Sequence, residues 1–163
     1  MHIRNLTKIT LLMLFLGFRC AGAVPYERVQ SEKDAHGNTI SLFERKGINH
    51  FKFVIMDGKP RKTFSGETYD EIGSIYFVFY QYQNQGFIEN VHVEEKWRNK
   101  GYGNVLFAQA CEHLKKLGCV SLSLDVVKDN AFALAWYKRH EFVKDTKAEE
   151  DEDLFRLIKI YKE

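Results

Sequence analysis

Cysteine occurs only three times in 163 residues, at positions 20, 111 and 119, too few for a disulfide framework. Cys111 falls among apolar neighbours on a helix-patterned stretch, and Cys119 opens a strand-patterned one. Two buried thiols are the expectation, and a disulfide between them is the alternative. The six histidines are scattered. None pairs with a cysteine or another histidine at ligand spacing, so no metal site is expected. No internal repeat, second domain or linker-length run of serine or glycine is present. Charge of one sign is lacking as well, since 24 basic residues face 22 acidic ones.

Even that small excess sits at the start. Arg4 and Lys8 precede an apolar stretch, Ile9 to Phe18, and Ala21-Gly22-Ala23 follows as a small-residue cleavage pattern. This is the grammar of a secretory signal peptide. Its apolar core is too short for a comfortable membrane span. Cleavage and export of residues 24–163 is the expectation, with no stable membrane span afterwards; an uncleaved anchor and a misplaced start codon are the alternatives. Arg19 beside Cys20 sets a bulky cation where lipid attachment wants small residues. Losing Arg4, Lys8 and Arg19 leaves 21 basic against 22 acidic residues. No basic character then argues for a nucleic-acid partner. The remaining 140 residues make one domain with length enough for a core.

What is present centres on residues 86–142. An extended run, Phe87 to Val93, leads into Arg98-Asn99-Lys100-Gly101-Tyr102-Gly103, and an amphipathic helix over about 103–117 leaves it. A strand that ends at a glycine-containing turn where a helix begins gathers unpaired N–H groups and the positive end of a helix dipole. Such a point suits a phosphate or pyrophosphate. Gly101 and Gly103 let an oxygen-rich ligand approach the backbone, and Arg98 and Lys100 add charge. An ordinary strand-to-helix turn in solvent explains the same residues equally well. After Gly118, the stretch Cys119 to Val127 alternates as a strand does, and Asn130 to Tyr137 reads as a second helix.

Here the chain resembles the GNAT superfamily of N-acetyltransferases, on two signatures in order. The first, Arg/Gln-x-x-Gly-x-Gly/Ala, is met by Arg98, Gly101 and Gly103. The second, Asn-x-x-Ala-x-x-x-Tyr-x-x-x-Gly-Phe, is met by Asn130, Ala133, Tyr137 and Phe142, but Glu141 stands where glycine is usual. A left-handed residue other than glycine costs roughly 1–2 kcal/mol, so this helix is expected to end differently. The resemblance covers residues 86–142. It implies acetyl-CoA as co-substrate, with its pyrophosphate on the amides from Arg98 through Asn99, Lys100, Gly101 and Tyr102 to Gly103. It implies that the Val91 N–H meets the thioester carbonyl and that Val93 bonds the pantetheine amide. Tyr137 would protonate the leaving thiolate, and Asn130 would cap its helix and touch the cofactor. Glu89, on the strand face of Phe87, is the candidate base, acting through water; His92 falls on the opposite face by parity. Each has an ordinary alternative: a packed tyrosine, a simple cap, a solvated glutamate.

The chain before this core reads as mostly strand: 26–32, 39–45, 51–56, a short 61–64, and 75–82. His36-Gly37-Asn38 and Asp57-Gly58 are turns, the second read as a hairpin, and Pro60 marks an edge. Residues 65–73 read as a loop or one helical turn, and Asn84-Gln85-Gly86 as a turn into Phe87. The two helices that family members place after their first strand, where they shape the acceptor groove, are not found. Residues 142–146 and 154–162 read as strands around an acidic loop, 148–153, that is a solvated tip or an attraction for a cationic acceptor. The expected fold is α/β (α+β), a single-domain acetyltransferase-like mixed sheet flanked by helices, strand-rich in its N-terminal half. The expected activity is direct transfer of acetyl from acetyl-CoA to a primary amine. A non-catalytic CoA-binding or interaction module, and an exported β-rich binding protein in which the turn is coincidental, are the competing readings.

Overall fold

A computed structural model describes residues 26–45, 49–63, 66–149 and 151–161. The leader read at 1–23 lies outside them. An eight-stranded mixed sheet dominates, in the order β1-β2-β3-β6-β7-β8-β10-β9. Its strands are β1 (Tyr26–Lys33), β2 (Thr39–Arg45), β3 (His50–Met56), β6 (Glu71–Tyr80), β7 (Gln85–Val93), β8 (Ser121–Val127), β9 (Val143–Lys144) and β10 (Leu154–Ile160). A separate two-stranded sheet pairs β4 (Arg61–Thr63) with β5 (Gly66–Thr68). Helices α1 (Tyr102–Lys116) and α2 (Ala131–Arg139) complete the order.

The first three strands form an antiparallel meander, and the two helices sought after β1 are absent, the turn Asp34–Asn38 taking their place. Three local expectations need correction. Asp57-Gly58 is not a hairpin turn back onto β3, because β3 is already paired on both edges, by β2 and β6; the chain leaves the main sheet there for the β4–β5 pair. Residues 65–73 hold β5 and the start of β6 rather than a loop or helical turn; Ile72 there is wholly buried. Gln85 and Gly86 belong to β7, the turn being confined to 81–84, because Gly86 is packed under α1 and admits no larger residue easily: a Cβ there would lie 2.8 Å from Leu114 Cδ1 and Leu122 Cδ1.

Helix α1 covers the middle of the sheet, burying Leu106, Phe107, Ala110 and Leu114, the spacing of one helical face. Phe51 and Phe53 stack on Phe77 at 5.3 and 5.8 Å, and the His113 ring meets Phe51 edge-on at 4.8 Å. Trp136 and Tyr137 of α2 pack on Phe107 of α1, so both helices share one face. Cys119 is buried and Cys111 only half-buried, and both are free thiols.

Both helices end alike. After α1, Gly118 at φ 90 donates to Lys115 O and Cys119 N to Leu114 O, the reciprocal pattern of a left-handed cap. After α2, Glu141 at φ 67 donates to Lys138 O and Phe142 N to Tyr137 O. The expectation of a different ending at Glu141 is therefore overturned. Lys159 braces this end, its Nζ donating to His140 O at 3.0 Å and to Glu141 Oε2 at 2.8 Å.

Candidate active site

Strands β7 and β8 run parallel and pair from Gln85↔Ser121 to Ile88↔Leu124, and no further. Beyond that point residues 90–93 pair only with β6, and 125–127 only with β10. The sheet is thus parted in its middle, and one main-chain edge of each strand faces the opening. A bulge marks the place: Phe77 pairs with Ile88 and Tyr76 with Asn90, so Glu89 is the inserted residue. A bulge re-aims side chains and bends its strand. Val91 and Val93 lie beyond it, half-buried against the helix-covered core.

At the end of β7 the chain makes a short 3₁₀ turn, Glu95–Trp97, then reaches Gly101, at φ 86, and enters α1 without a side-chain cap. The N–H groups of Asn104 and Val105 turn back on Gly101 O, while those of Tyr102 and Gly103, at the first helical positions, have no intrahelical acceptor. A Cβ at Gly101 would meet nothing within 4 Å, and one at Gly103 nothing nearer than 3.8 Å. The backbone here is open to a ligand. Arg98 and Lys100 are exposed, but neither is loose. Arg98 Nε donates to Val93 O at 3.0 Å, binding the turn to the strand, and Lys100 Nζ lies 4.6 Å over the Trp97 ring. Asn99 also has positive φ, 61.

Asn130 caps α2, its Oδ1 accepting from Ala133 N at 3.0 Å. The Tyr137 ring packs edge-on to Phe107, Trp136 and Phe142, and burial pushes its phenol up to about 12. It stays protonated throughout the neutral range. Glu89 is exposed and lies 3.9 Å from His50 Nδ1. His50 alternates with Phe51 and Phe53, which face α1, so Glu89 looks out from the helix-free face while Tyr137 belongs to the helix face. The opening between β7 and β8 lies between the two faces. Parity alone misplaced His92: because of the bulge, Asn90 and His92 share the outward face with Glu89, and His92 Nε2 meets Glu94 Oε1 at 3.4 Å.

Sequence reading missed three participants. Asn104 Oδ1 joins Trp136 Nε1 at 3.1 Å and His140 Nε2 at 3.2 Å, holding α2 to the start of α1. His50 and Asn38 approach the site from strands far away in the chain, where no local pattern signals them. In the acidic loop, Asp151 serves the turn itself, accepting from Asp153 N and Leu154 N. Among the described residues no group of three His, Cys, Asp or Glu is arranged to hold a metal, and no helix is long and apolar enough to cross a membrane.

Solved structures place this arrangement in a class. A PaiA N-acetyltransferase from Thermoplasma acidophilum, in complex with coenzyme A, superposes with a TM-score of 0.56 at 18% identity, over 69% of this chain and 62% of that one. The present chain thus spans less than two thirds of that protein. Ard1 from Thermoplasma volcanium gives 0.54 at 19% identity, over 71% and 72%. An acetyltransferase from Bacillus subtilis, in complex with CoA, gives 0.55 at 19% identity, over 69% and 78%. These likenesses establish an N-acetyltransferase fold. The sequence itself goes further: residues 37–142 match the model of the acetyltransferase (GNAT) family, and the chain belongs to that family of acyltransferases. No curated relative matches the sequence.

Proposed function

We propose that the protein transfers an acetyl group from acetyl-CoA directly to a primary amine. The observation that carries this reading is the parting of β7 and β8 beyond Ile88 and Leu124, next to an uncapped helix start. An extended arm fits between strands whose main-chain edges lack partners, and a diphosphate fits amides at a helix N-terminus. The amides from Arg98 through Asn99, Lys100, Gly101 and Tyr102 to Gly103 would take the pyrophosphate. The Val91 N–H would polarise the thioester carbonyl and hold the oxyanion that develops there, and Val93 would bond the pantetheine amide. Asn130, already engaged as a cap, would border the cofactor.

Acetyl-CoA, when bound, supplies an activated acyl group; the chain supplies proton management. Glu89, on the outward face, takes a proton from the approaching ammonium through water. Tyr137, on the other face, gives one to the departing thiolate. A phenol held near 12 by burial carries its proton throughout the neutral range and so has one to give. Thiol release with a panel of amines tests the activity. Tyr137→Phe is expected to lower kcat by roughly 100-fold with little change in acetyl-CoA affinity; stoichiometric binding without thiol release from any amine would favour a CoA-binding module instead.

We also take residues 1–23 as an export leader. The first residue of protein purified from its native cells tests this: Val24 is expected, and an intact Met1 would contradict it.

A further inference from the structure

Asn38 closes the turn between β1 and β2 and is only 5% exposed. Its Nδ2 donates to Asp34 Oδ2 at 2.9 Å and to the Tyr102 hydroxyl at 3.2 Å, and its Oδ1 accepts from Gly58 N at 3.3 Å. Every polar atom of this side chain is occupied. Asp34 Oδ1 in turn accepts from His36 N and Asn38 N, both at 2.8 Å. The turn after β3 is pressed against it so closely that a Cβ at Gly58 would lie 2.2 Å from Gly37 O. Two turns from the first three strands are therefore locked together, and what they present to the rest of the molecule is the amide of Asn38.

Tyr102, which receives that amide, is the first residue of α1. Its ring meets Trp97 edge-on at 5.8 Å and 89°, and Lys100 Nζ lies over the other partner of that contact. Trp97 and Tyr102 thus stand at the two ends of the turn 98–101. Since α1 begins without a side-chain cap and Gly101 touches nothing in the Cβ direction, the angle at which the first helical amides point depends on Tyr102 and what holds it.

We propose that Asn38 is a positioning residue for the anion-binding turn, fixing the Tyr102 hydroxyl and through it the amides of residues 99–103 in the orientation that a diphosphate requires. The inference rests on the coenzyme A reading of that turn. It assigns a role to the tight β1–β2 connection: it braces the donor site.

Amide hydrogen exchange on the full chain, without ligand, tests the bracing directly. Tyr102→Phe keeps the ring and removes only the hydroxyl; it and Asn38→Ala are expected to speed exchange at Asn104 and Val105, whose N–H groups bond Gly101 O, while amides of β6 keep their rates. Kinetically, KM for acetyl-CoA should rise roughly three- to tenfold, the scale of one hydrogen bond, with kcat and the amine KM unchanged. The double variant should lose no more than either single one. Unchanged exchange at Asn104 and Val105, equal acceleration in β6, or losses that add in the double variant would each overturn the proposal. A wild-type chain that ignores coenzyme A would sink the activity reading instead, and the exchange comparison would still decide the role of Asn38.

Discussion

Glu141 carries a backbone conformation that suits glycine, and its neighbour in space, Lys159, shows how the chain tolerates it. Strain of roughly 1–2 kcal/mol is set against an ion pair whose carboxylate side is 80% exposed and therefore weak. Glu141→Gly is expected to raise the stability by about 0.5–1 kcal/mol, while Glu141→Ala lowers it; chemical denaturation of both variants checks the order. Gly101 is the reverse case. Nothing surrounds its missing Cβ, so Gly101→Ala should cost about 1–2 kcal/mol through the backbone alone and weaken acetyl-CoA binding without disturbing the core. These residues also mark what the sequence disclosed. Gly101 was legible as a turn residue because its positive φ, 86, is a local demand of the chain. Glu141 was misread because its support comes from Lys159, on a strand that meets the helix end only in the folded chain.

At the scale of elements, the bulge in β7 explains both a success and a failure of pattern reading. Alternation placed Glu89 on the face of Phe87 correctly, since the register shifts only after that pair. It placed His92 wrongly relative to Glu89, since one extra residue reverses parity and leaves no trace in composition. The same strand end depends on Gly73 of β6, where a Cβ would lie 2.5 Å from His92 O and 3.2 Å from Leu106 Cδ1. The first of these is backbone, which cannot give as a side chain can. Gly73→Ala is therefore expected to destabilise the protein by about 1–3 kcal/mol and to displace the edge of β7 that faces the opening, raising KM for acetyl-CoA; an unchanged melting temperature would show that the strands part less rigidly than described. Helix α2 is held differently, by Asn104 bridging Trp136 and His140, a tertiary link that no helical spacing reveals.

For the whole molecule, the mixed sheet, most of its strands and the two helices followed from alternation, glycine placement and the paired signatures, while the strand order and the long-range contacts between the N-terminal strands and α1 did not. One of these contacts sets a pH dependence. His113 stands among Phe51, Phe53 and Phe77, and its Nε2 is buried without a partner. Burial first, and then Lys116, hold its pKa below the usual value; His140 is lowered as well, by burial, Lys159 and Arg139. The unfolded chain then binds more protons than the folded one below about pH 6.5. Stability is fully present above that pH and lost as pH falls toward the lowered folded values. Melting temperatures should decline from pH 7 to pH 5, and His113→Phe should flatten that decline; an identical slope would remove His113 from the account.

The central claim is that the parted strands and the uncapped helix start together hold an acyl-CoA. Titration calorimetry of the full chain with acetyl-CoA tests it most directly. One site per chain is expected, with a dissociation constant on the order of 1–100 μM, weakened at least tenfold by Gly101→Ala. No heat of binding at about 1 mM ligand would contradict it.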